Sequence, residues 1–258
     1  FTRASEYSKQ KKSEATNKTK LSTPIRRDLE LDALIEIMES KRFITCHSYV
    51  QSEINMLMHV ADTFGFQMNT FTHILEGYKL ADKMKAHGVR GVSTFSDWWG
   101  YKFEVYEAIP YNGSIMHKMK LNVAYNSDDA EMARRLNQEA AKAVMYGGVS
   151  EEEAWKFVTL NPAKMLRVDD RVGSIKIGKD ADLVLWNENP LSILAKPVQT
   201  YVDGILYFDI ERDQQLREYN RIETARITQK MTAAKNKGEN SKKPTAKKII
   251  LKHCDYEE

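Results

Sequence analysis

Three side chains stand where a strand-like run gives way to a loop, and each can hold a metal or move a proton. His47 closes the run Phe43-Ile44-Thr45-Cys46-His47, and His73 closes Gln67-Met68-Asn69-Thr70-Phe71-Thr72-His73. Asp128 follows Leu121-Asn122-Val123-Ala124-Tyr125, within Asn126-Ser127-Asp128-Asp129. A neutral imidazole offers a lone pair to zinc, and a carboxylate adds negative charge and can accept a proton from water. A bound metal lowers the pKa of water from ~15.7 to about 7. Two imidazoles and a carboxylate at one mouth would therefore form part of a hydrolytic metal shell. The same residues also suit hydrogen-bonded rim positions, and spacing alone does not choose between these readings.

The elements around them alternate. Ile54, Leu57, Met58 and Ala61 give helical spacing over 51–64, and Leu75, Leu80, Met84 and Ala86 mark a second helix closing at Gly88. A third strand is expected at 91–96, an irregular helix over about 102–118 broken near Pro110, and a long helix from about 130 to 146. Strand–helix alternation of this kind signals parallel βαβ units. The strand runs begin near 43, 68, 91 and 121, at a spacing that fits (β/α) barrel units. A complete barrel needs eight units and ~250 residues. Four occur here, and only 42 residues precede the first. By count this is half a barrel or a smaller open sheet. In a parallel barrel the C-terminal strand ends converge on one face, which would bring His47, His73 and Asp128 together.

After residue 166 the pattern changes to a small β module. Turn glycines and short apolar runs fill 172–186, and Thr200–Phe208 reads as a hairpin around Asp203-Gly204.

Composition bounds the rest. The 258 residues carry a formal net charge of +3, too mild to require a nucleic-acid partner, and no apolar run approaches the ~20 residues of a membrane span. Cys46 and Cys254 stand far apart, which argues against a disulfide framework. Cys46 should point away from its neighbour His47. Residues 7–21 and 229–248 are lysine-rich and nearly free of large apolar groups, so they read as linker, disordered arm, exposed helix or solvated tail. His59, His87 and His117 fall on or after helices and read as solvated surface. The chain begins at Phe1 without a recognisable leader. It is expected to be a fragment or processed product, cytoplasmic or, if a leader was lost, periplasmic.

Several stretches resemble the amidohydrolase superfamily, and within it the imidazolonepropionase-like branch. They are Ile44-Thr45-Cys46-His47, Phe71-Thr72-His73-Ile74-Leu75-Glu76-Gly77, Asn126-Ser127-Asp128, and the most specific, Asn161-Pro162-Ala163-Lys164 followed by Gly173-Ser174-Ile175 and Gly178-Lys179-Asp180-Ala181-Asp182-Leu183. The resemblance covers about 26–208. It implies an α/β fold, the C-terminal half of a (β/α)8 TIM barrel plus part of a small β-sandwich. It also implies metal ligation by His47, His73 and Asp128, with Asp128 as the catalytic proton carrier. The implied cofactor is a divalent metal, zinc as one or two ions, or iron. Asp97 and Trp98, after the third strand, would line the same mouth and contact substrate. The family's first-strand His-x-His pair is absent, because none of the six histidines precedes residue 47.

The implied organisation is an N-terminal arm at 1–24, the barrel half at 25–166, the sandwich segment at 167–212 and a lysine-rich tail at 213–258. The implied function is metal-dependent hydrolysis of a C–N bond in an amide, cyclic amide or short peptide. The partners would be a small-molecule or peptide substrate and the missing N-terminal half of the fold, with a homo-oligomer left open. The rival expectations are a non-catalytic remnant of a split or truncated gene, and a basic binding module using 229–248.

Overall fold

The protein, analysed as a computed structural model, is described over residues 1–16, 24–100 and 102–239. It divides into two units, Phe1–Tyr207 and Phe208–Glu258.

The first unit is built on a four-stranded parallel sheet, β1 (Thr45–His47), β2 (Thr70–Thr72), β3 (Gly91–Thr94) and β4 (Val123–Tyr125), ordered β1-β2-β3-β4. The register pairs His47 with Thr72, Phe71 with Val92, and Thr94 with Tyr125. Each crossover is helical, as parallel pairing requires. Helix α3 (Gln51–Phe64) connects β1 to β2 and ends on Gly65 at φ 73°. A 3-10 turn at Gly77–Lys79 and α4 (Ala81–His87) connect β2 to β3, with Gly88 in the left-handed region as the C-cap anticipated from sequence. The irregular helix expected over 102–118 resolves into a 3-10 turn at Phe103–Val105 and α5 (Asn112–Lys118). The long helix expected at 130–146 is split into α6 (Ala130–Ala133) and α7 (Leu136–Gly147).

The core lies between sheet and helices. Phe71, Val92 and Val123 from the strands meet Ile54, Met58, Met84 and Met116 from the helices, with Phe157 closing one side. Helix α8 (Glu151–Lys156) packs on α7, and α9 (Leu160–Leu166) packs against β3 and β4. Here Asn161 has a definite structural task. Its Nδ2 donates to the Val123 carbonyl at 2.8 Å, while the Tyr125 N–H donates to the Phe157 carbonyl at 2.9 Å. The free edge of β4 is thus satisfied from within the chain, as buried backbone groups must be.

Residues 1–24, read from sequence as a linker or arm, contain α1 (Thr2–Thr16) preceding α2 (Leu29–Met38). Phe1, Ala4 and Tyr7 recur at helical spacing and supply the anchor. Phe1 stacks on Phe66 at 4.7 Å, Ala4 and Tyr7 are buried, and the Tyr7 hydroxyl accepts from the Asp28 N–H at 3.1 Å. The β module is a three-stranded sheet, β5 (Leu183–Trp186), β6 (Pro197–Val202) and β7 (Ile205–Asp209). Its hairpin turns at Asp203 (φ 51°) and Gly204 (φ 76°), the two successive positive φ values a two-residue turn uses.

The second unit is α10 (Ile210–Asn236). Where the sequence suggests a solvated tail from 213, a helix forms over these residues. The Asp209 carboxylate accepts from the Glu211 and Arg212 N–H groups, and the pairs Arg217–Asp213, Arg221–Glu218 and Arg226–Glu223 sit three or four residues apart. The lysines at 242, 243, 247 and 248, and Cys254, lie outside the described residues.

Helices α5 and α7 approach so closely that Gly147 has no room for a side chain. A Cβ there would stand 2.1 Å from the Ser114 Cβ. Gly147→Ala should lower unfolding stability by about 1–3 kcal/mol, the range for overpacking. Urea denaturation should show a lower midpoint at unchanged slope.

Candidate active site

Parallel direction brings the ends of β1, β2 and β4 to one edge, and His47, His73 and Asp128 gather there. The His47 and His73 ring centroids are 4.6 Å apart, and His73 Nε2 lies 3.6 Å from Asp128 Oδ1. His47 and Asp128 are exposed and His73 is half-buried. Aromatic rings wall the group. Tyr49 meets His47 edge-on at 4.9 Å, Phe95 stacks on His73 at 4.9 Å, and Trp98 stacks on Phe95 at 4.3 Å. The Lys102 ammonium sits over the Tyr49 ring at 4.0 Å.

His73 is held in a costly backbone state. Its φ is 59°, in the left-handed region that non-glycine residues rarely occupy. Neighbouring hydrogen bonds enforce it. The Ile74 N–H donates to the Ser93 carbonyl at 3.1 Å, and the Ile74 carbonyl accepts from Asn112 Nδ2 at 2.8 Å. Asn112 is fully satisfied, donating also to Thr94 Oγ1 and accepting from the Tyr78 N–H. Sequence reading passed over Asn112. A polar residue between apolar helical positions was the available signal, but its partners lie 18 to 38 residues away.

Among the described residues, no group of three or more His, Cys, Asp or Glu side chains is arranged to hold a metal ion. His47, His73 and Asp128 come close without closing on one point. One atom bears on whether they suit a cation. Asn126 Oδ1 is buried and lacks a hydrogen-bond partner among the described residues, while Asn126 Nδ2 lies 3.0 Å from His73 Nδ1. The two ends of an amide exchange by rotation and are assigned from their surroundings. Turning this amide lets Oδ1 accept from Nδ1–H, which leaves the lone pair on Nε2, the tautomer a ligating histidine uses. In that tautomer His73 Nε2 has the chemistry of a cation ligand.

The other sequence-selected residues fall elsewhere. Asp97 is engaged by its own scaffold. Its Oδ1 accepts from Lys142 Nζ at 2.9 Å, and its Oδ2 accepts from the Tyr146 hydroxyl at 3.5 Å. Lys142 also binds Glu139, a buried carboxylate that accepts from Ser96 Oγ. Burial alone would lower the Lys142 pKa, but bonds to both carboxylates outweigh it and raise the value. Asp97 thus belongs to an ion network missed from sequence because Glu139 and Lys142 look like ordinary helix-surface charges. Trp98 remains in the aromatic wall, and its indole N–H points to Met132 Sδ at 2.6 Å. Cys46 is partly buried against the core, and burial pushes its thiol up.

Of the three helix histidines, His59 is exposed as expected. His87 corrects the solvated reading, because its side chain is only 4% exposed. Its Nε2 accepts from the Met68 N–H at 3.2 Å, so Nδ1 carries the proton and donates to Asp62 Oδ1 at 2.7 Å. His117 is partly buried against the Phe157 ring, and burial lowers its pKa.

With this geometry described, comparison with known proteins places the chain. Residues 113–207, which include Asp128 and the Asn161-Pro162-Ala163-Lys164 motif, match the family described as the amidohydrolase family. Over residues 113–207 the chain is similar to the amidohydrolase family. It is 31% identical over 186 residues to the amidohydrolase tasK of Hapsidospora irregularis, covering 70% of this chain and 19% of that protein. It is 33% identical over 98 residues to an imidazolonepropionase of Picrophilus torridus, covering 35% of this chain and 25% of that protein. The crystal structure of an amidohydrolase from Thermotoga maritima superposes with a TM-score of 0.71 at 26% identity, covering 81% of this chain and 54% of that one. The chain thus spans a quarter or less of those two curated relatives.

The electrostatics of His73 yield a signed prediction. Burial lowers its pKa below the ordinary 6.5, His47 and Lys102 lower it further, and Asp128 alone opposes them. In the folded chain the proton is bound only below that ordinary value, whereas the unfolded chain binds it there. Acidification from about 6.5 downward therefore removes stability through this group. NMR titration of the His73 ring should give a midpoint below 6.5. Lys102→Gln should raise that midpoint, and Asp128→Asn should lower it.

Proposed function

We propose that this chain is the C-terminal part of a metal-dependent amidohydrolase that breaks a C–N bond in an amide, cyclic amide or short peptide. The observation that carries the reading is the approach of His47, His73 and Asp128 at the ends of three parallel strands, with rings 4.6 Å apart and an imidazole–carboxylate distance of 3.6 Å. The parallel sheet would be the second half of a (β/α)8 barrel, and β5–β7 a segment of its β-sandwich. Support comes from the 0.71 TM-score to a structure of which this chain covers 54%. A segment outside this chain would complete both the barrel and the ligand set.

A divalent cation, zinc by the nitrogen–oxygen donor set and iron as the alternative, supplies Lewis acidity to the carbonyl and the water when bound. His47 and His73 would hold it through ring nitrogens, and Asp128 through a carboxylate oxygen. The depressed pKa of His73 keeps its lone pair available at neutral pH. Asp128 Oδ takes the proton shed by the attacking water and passes it to the departing nitrogen, which makes it the catalytic residue. The half-exposed position of Asp128 suits that traffic, since it can meet both water and substrate. Phe95 and Trp98 would form an apolar wall for a small substrate, with Asp97 confined to holding the Lys142 network. Asn126 would act as the positioning residue of His73, fixing its tautomer.

Elemental analysis tests the reading directly. The full chain, purified together with the product of its upstream coding sequence, should contain one or two zinc or iron ions. His47→Ala or Asp128→Ala should lose that metal. Asp128→Asn should reduce amide or dipeptide turnover by roughly 10²–10⁴-fold, the scale of a lost acid–base group. Absence of metal from the assembled complex would overturn the reading and favour a non-catalytic remnant.

A further inference from the structure

A polar cavity of about 130 Å³ opens at the end of the strands opposite His47 and His73. It is lined in part by Ser40, Arg42, Phe43, Asn69, Arg90 and Arg167. Asn69 immediately precedes β2 and His73 follows it, a separation of ~13 Å at ~3.3 Å per strand residue. We infer that this cavity binds a small doubly charged tetrahedral oxyanion, inorganic phosphate or the phosphoryl group of a small metabolite, through the guanidiniums of Arg90 and Arg167.

Three independent features support the assignment. The first is charge. Arg42 is spent on Glu36, with Nε and Nη2 both donating to Glu36 Oε2 at 2.9 and 2.7 Å. Arg90 and Arg167 have no carboxylate partner among the described residues. Three guanidiniums around one carboxylate leave a net charge of +2. Desolvation, and after it the charge of Arg90, presses the Arg167 pKa downward, as expected for cations gathered without a counter-ion.

The second feature is orientation. Arg90 Nε donates to the Lys164 carbonyl at 3.0 Å, and Arg167 Nε donates to Asn69 Oδ1 at 3.2 Å. The Arg167 guanidinium lies 3.4 Å over the centre of the Phe43 ring, and Asn69 is itself fixed by its bond to the Met165 carbonyl at 3.0 Å. Each guanidinium is therefore anchored by its inner nitrogen, leaving the Nη pair as a fork for an oxyanion.

The third is backbone strain. Arg167 caps α9 at φ 60°, and Ser40 follows α2 at φ 57°. Glycine is the ordinary residue at such a cap. Arginine there gives up backbone comfort, and the site receives a guanidinium in return. The cavity is also of the right size, equal to about four water volumes at ~30 Å³ each, room for one phosphate.

Isothermal titration of the full chain with inorganic phosphate, against chloride at matched ionic strength, tests the site. Saturable one-site binding should appear, and phosphate should raise the melting temperature. Arg167→Gly is the decisive variant, because glycine relieves the backbone at this position. It should stay folded, the backbone relief offsetting the lost Asn69 and Phe43 contacts to within a few degrees of melting temperature without phosphate, yet bind phosphate at least tenfold more weakly. Arg90→Gln should weaken binding similarly. A parallel titration with a phosphomonoester such as glycerol phosphate identifies the source: tighter binding of the ester points to a metabolite, equal or weaker binding to free phosphate. Phosphate binding no better than chloride, or an Arg167→Gly protein that binds as tightly as the parent, would overturn the inference.

Discussion

Parallel strand pairing is the constraint on which the rest depends. With β1 to β4 all running one way, every residue that follows a strand arrives at the same edge of the sheet. His47, His73 and Asp128 are 26 or more residues apart in sequence and are neighbours only for this reason. The same rule collects the residues that precede strands at the other edge, where Phe43, Asn69 and Arg90 surround a cationic cavity. A one-residue slip of β2 would turn its side chains to the opposite face. The wholly buried Phe71 makes such a slip prohibitive, since its ring would leave the core.

Holding the ends still is a separate task, and polar side chains perform it. Asn112 ties the turn after β2 to the end of β3 and to the following 3-10 turn, which is how His73 stays at a positive φ. Asn161 closes the outer edge of β4. Glu139 and Lys142 clamp Asp97 and Ser96 just beyond β3. Such buried groups are expensive to leave unpaired and weakly stabilising when paired. Their value here is geometric, because each admits one arrangement of the loop it binds. The buried Asn126 Oδ1 is left without a partner among the described residues, and its amide lies against the His73 imidazole, whose tautomer it can set.

Much of this organisation was legible in the sequence, for identifiable reasons. Apolar periodicity marked α3, Gly88 closed α4, and the strand runs fell where β1 to β4 form, though the hydrogen-bonded strands are shorter. Side chains at matching strand ends identified His47, His73 and Asp128 as a group before any distance was known. The failures also share a cause. Asp97, His87, Asn112 and Glu139 are defined by partners 18 to 49 residues away. Local pattern carries no record of such partners, so a clamped aspartate reads as a mouth residue and a buried histidine as a surface one. Helix α10 escaped notice because its polar faces offer almost no apolar period, and capping with short-range ion pairs stands in its place.

The asymmetry between the two sheet edges bears most directly on how the chain is used. At β4 the outer backbone groups find partners in Asn161 and Phe157. At β1, among the described residues, only β2 pairs with the strand, and Thr45 and His47 are exposed on it. In the β module, Ile205 and Tyr207 alternate along β7 and are both more than half exposed, an apolar strip of sheet open to solvent. An open parallel edge and an uncovered apolar sheet are hazards that proteins ordinarily pair or bury. Both lie on the chain that would carry only part of a metal shell. A single upstream segment that supplied strands to β1, covered the module and added ligands beside His47 would resolve the edge, the apolar face and the incomplete shell together. On the proposed reading, one partner segment answers all three demands at once.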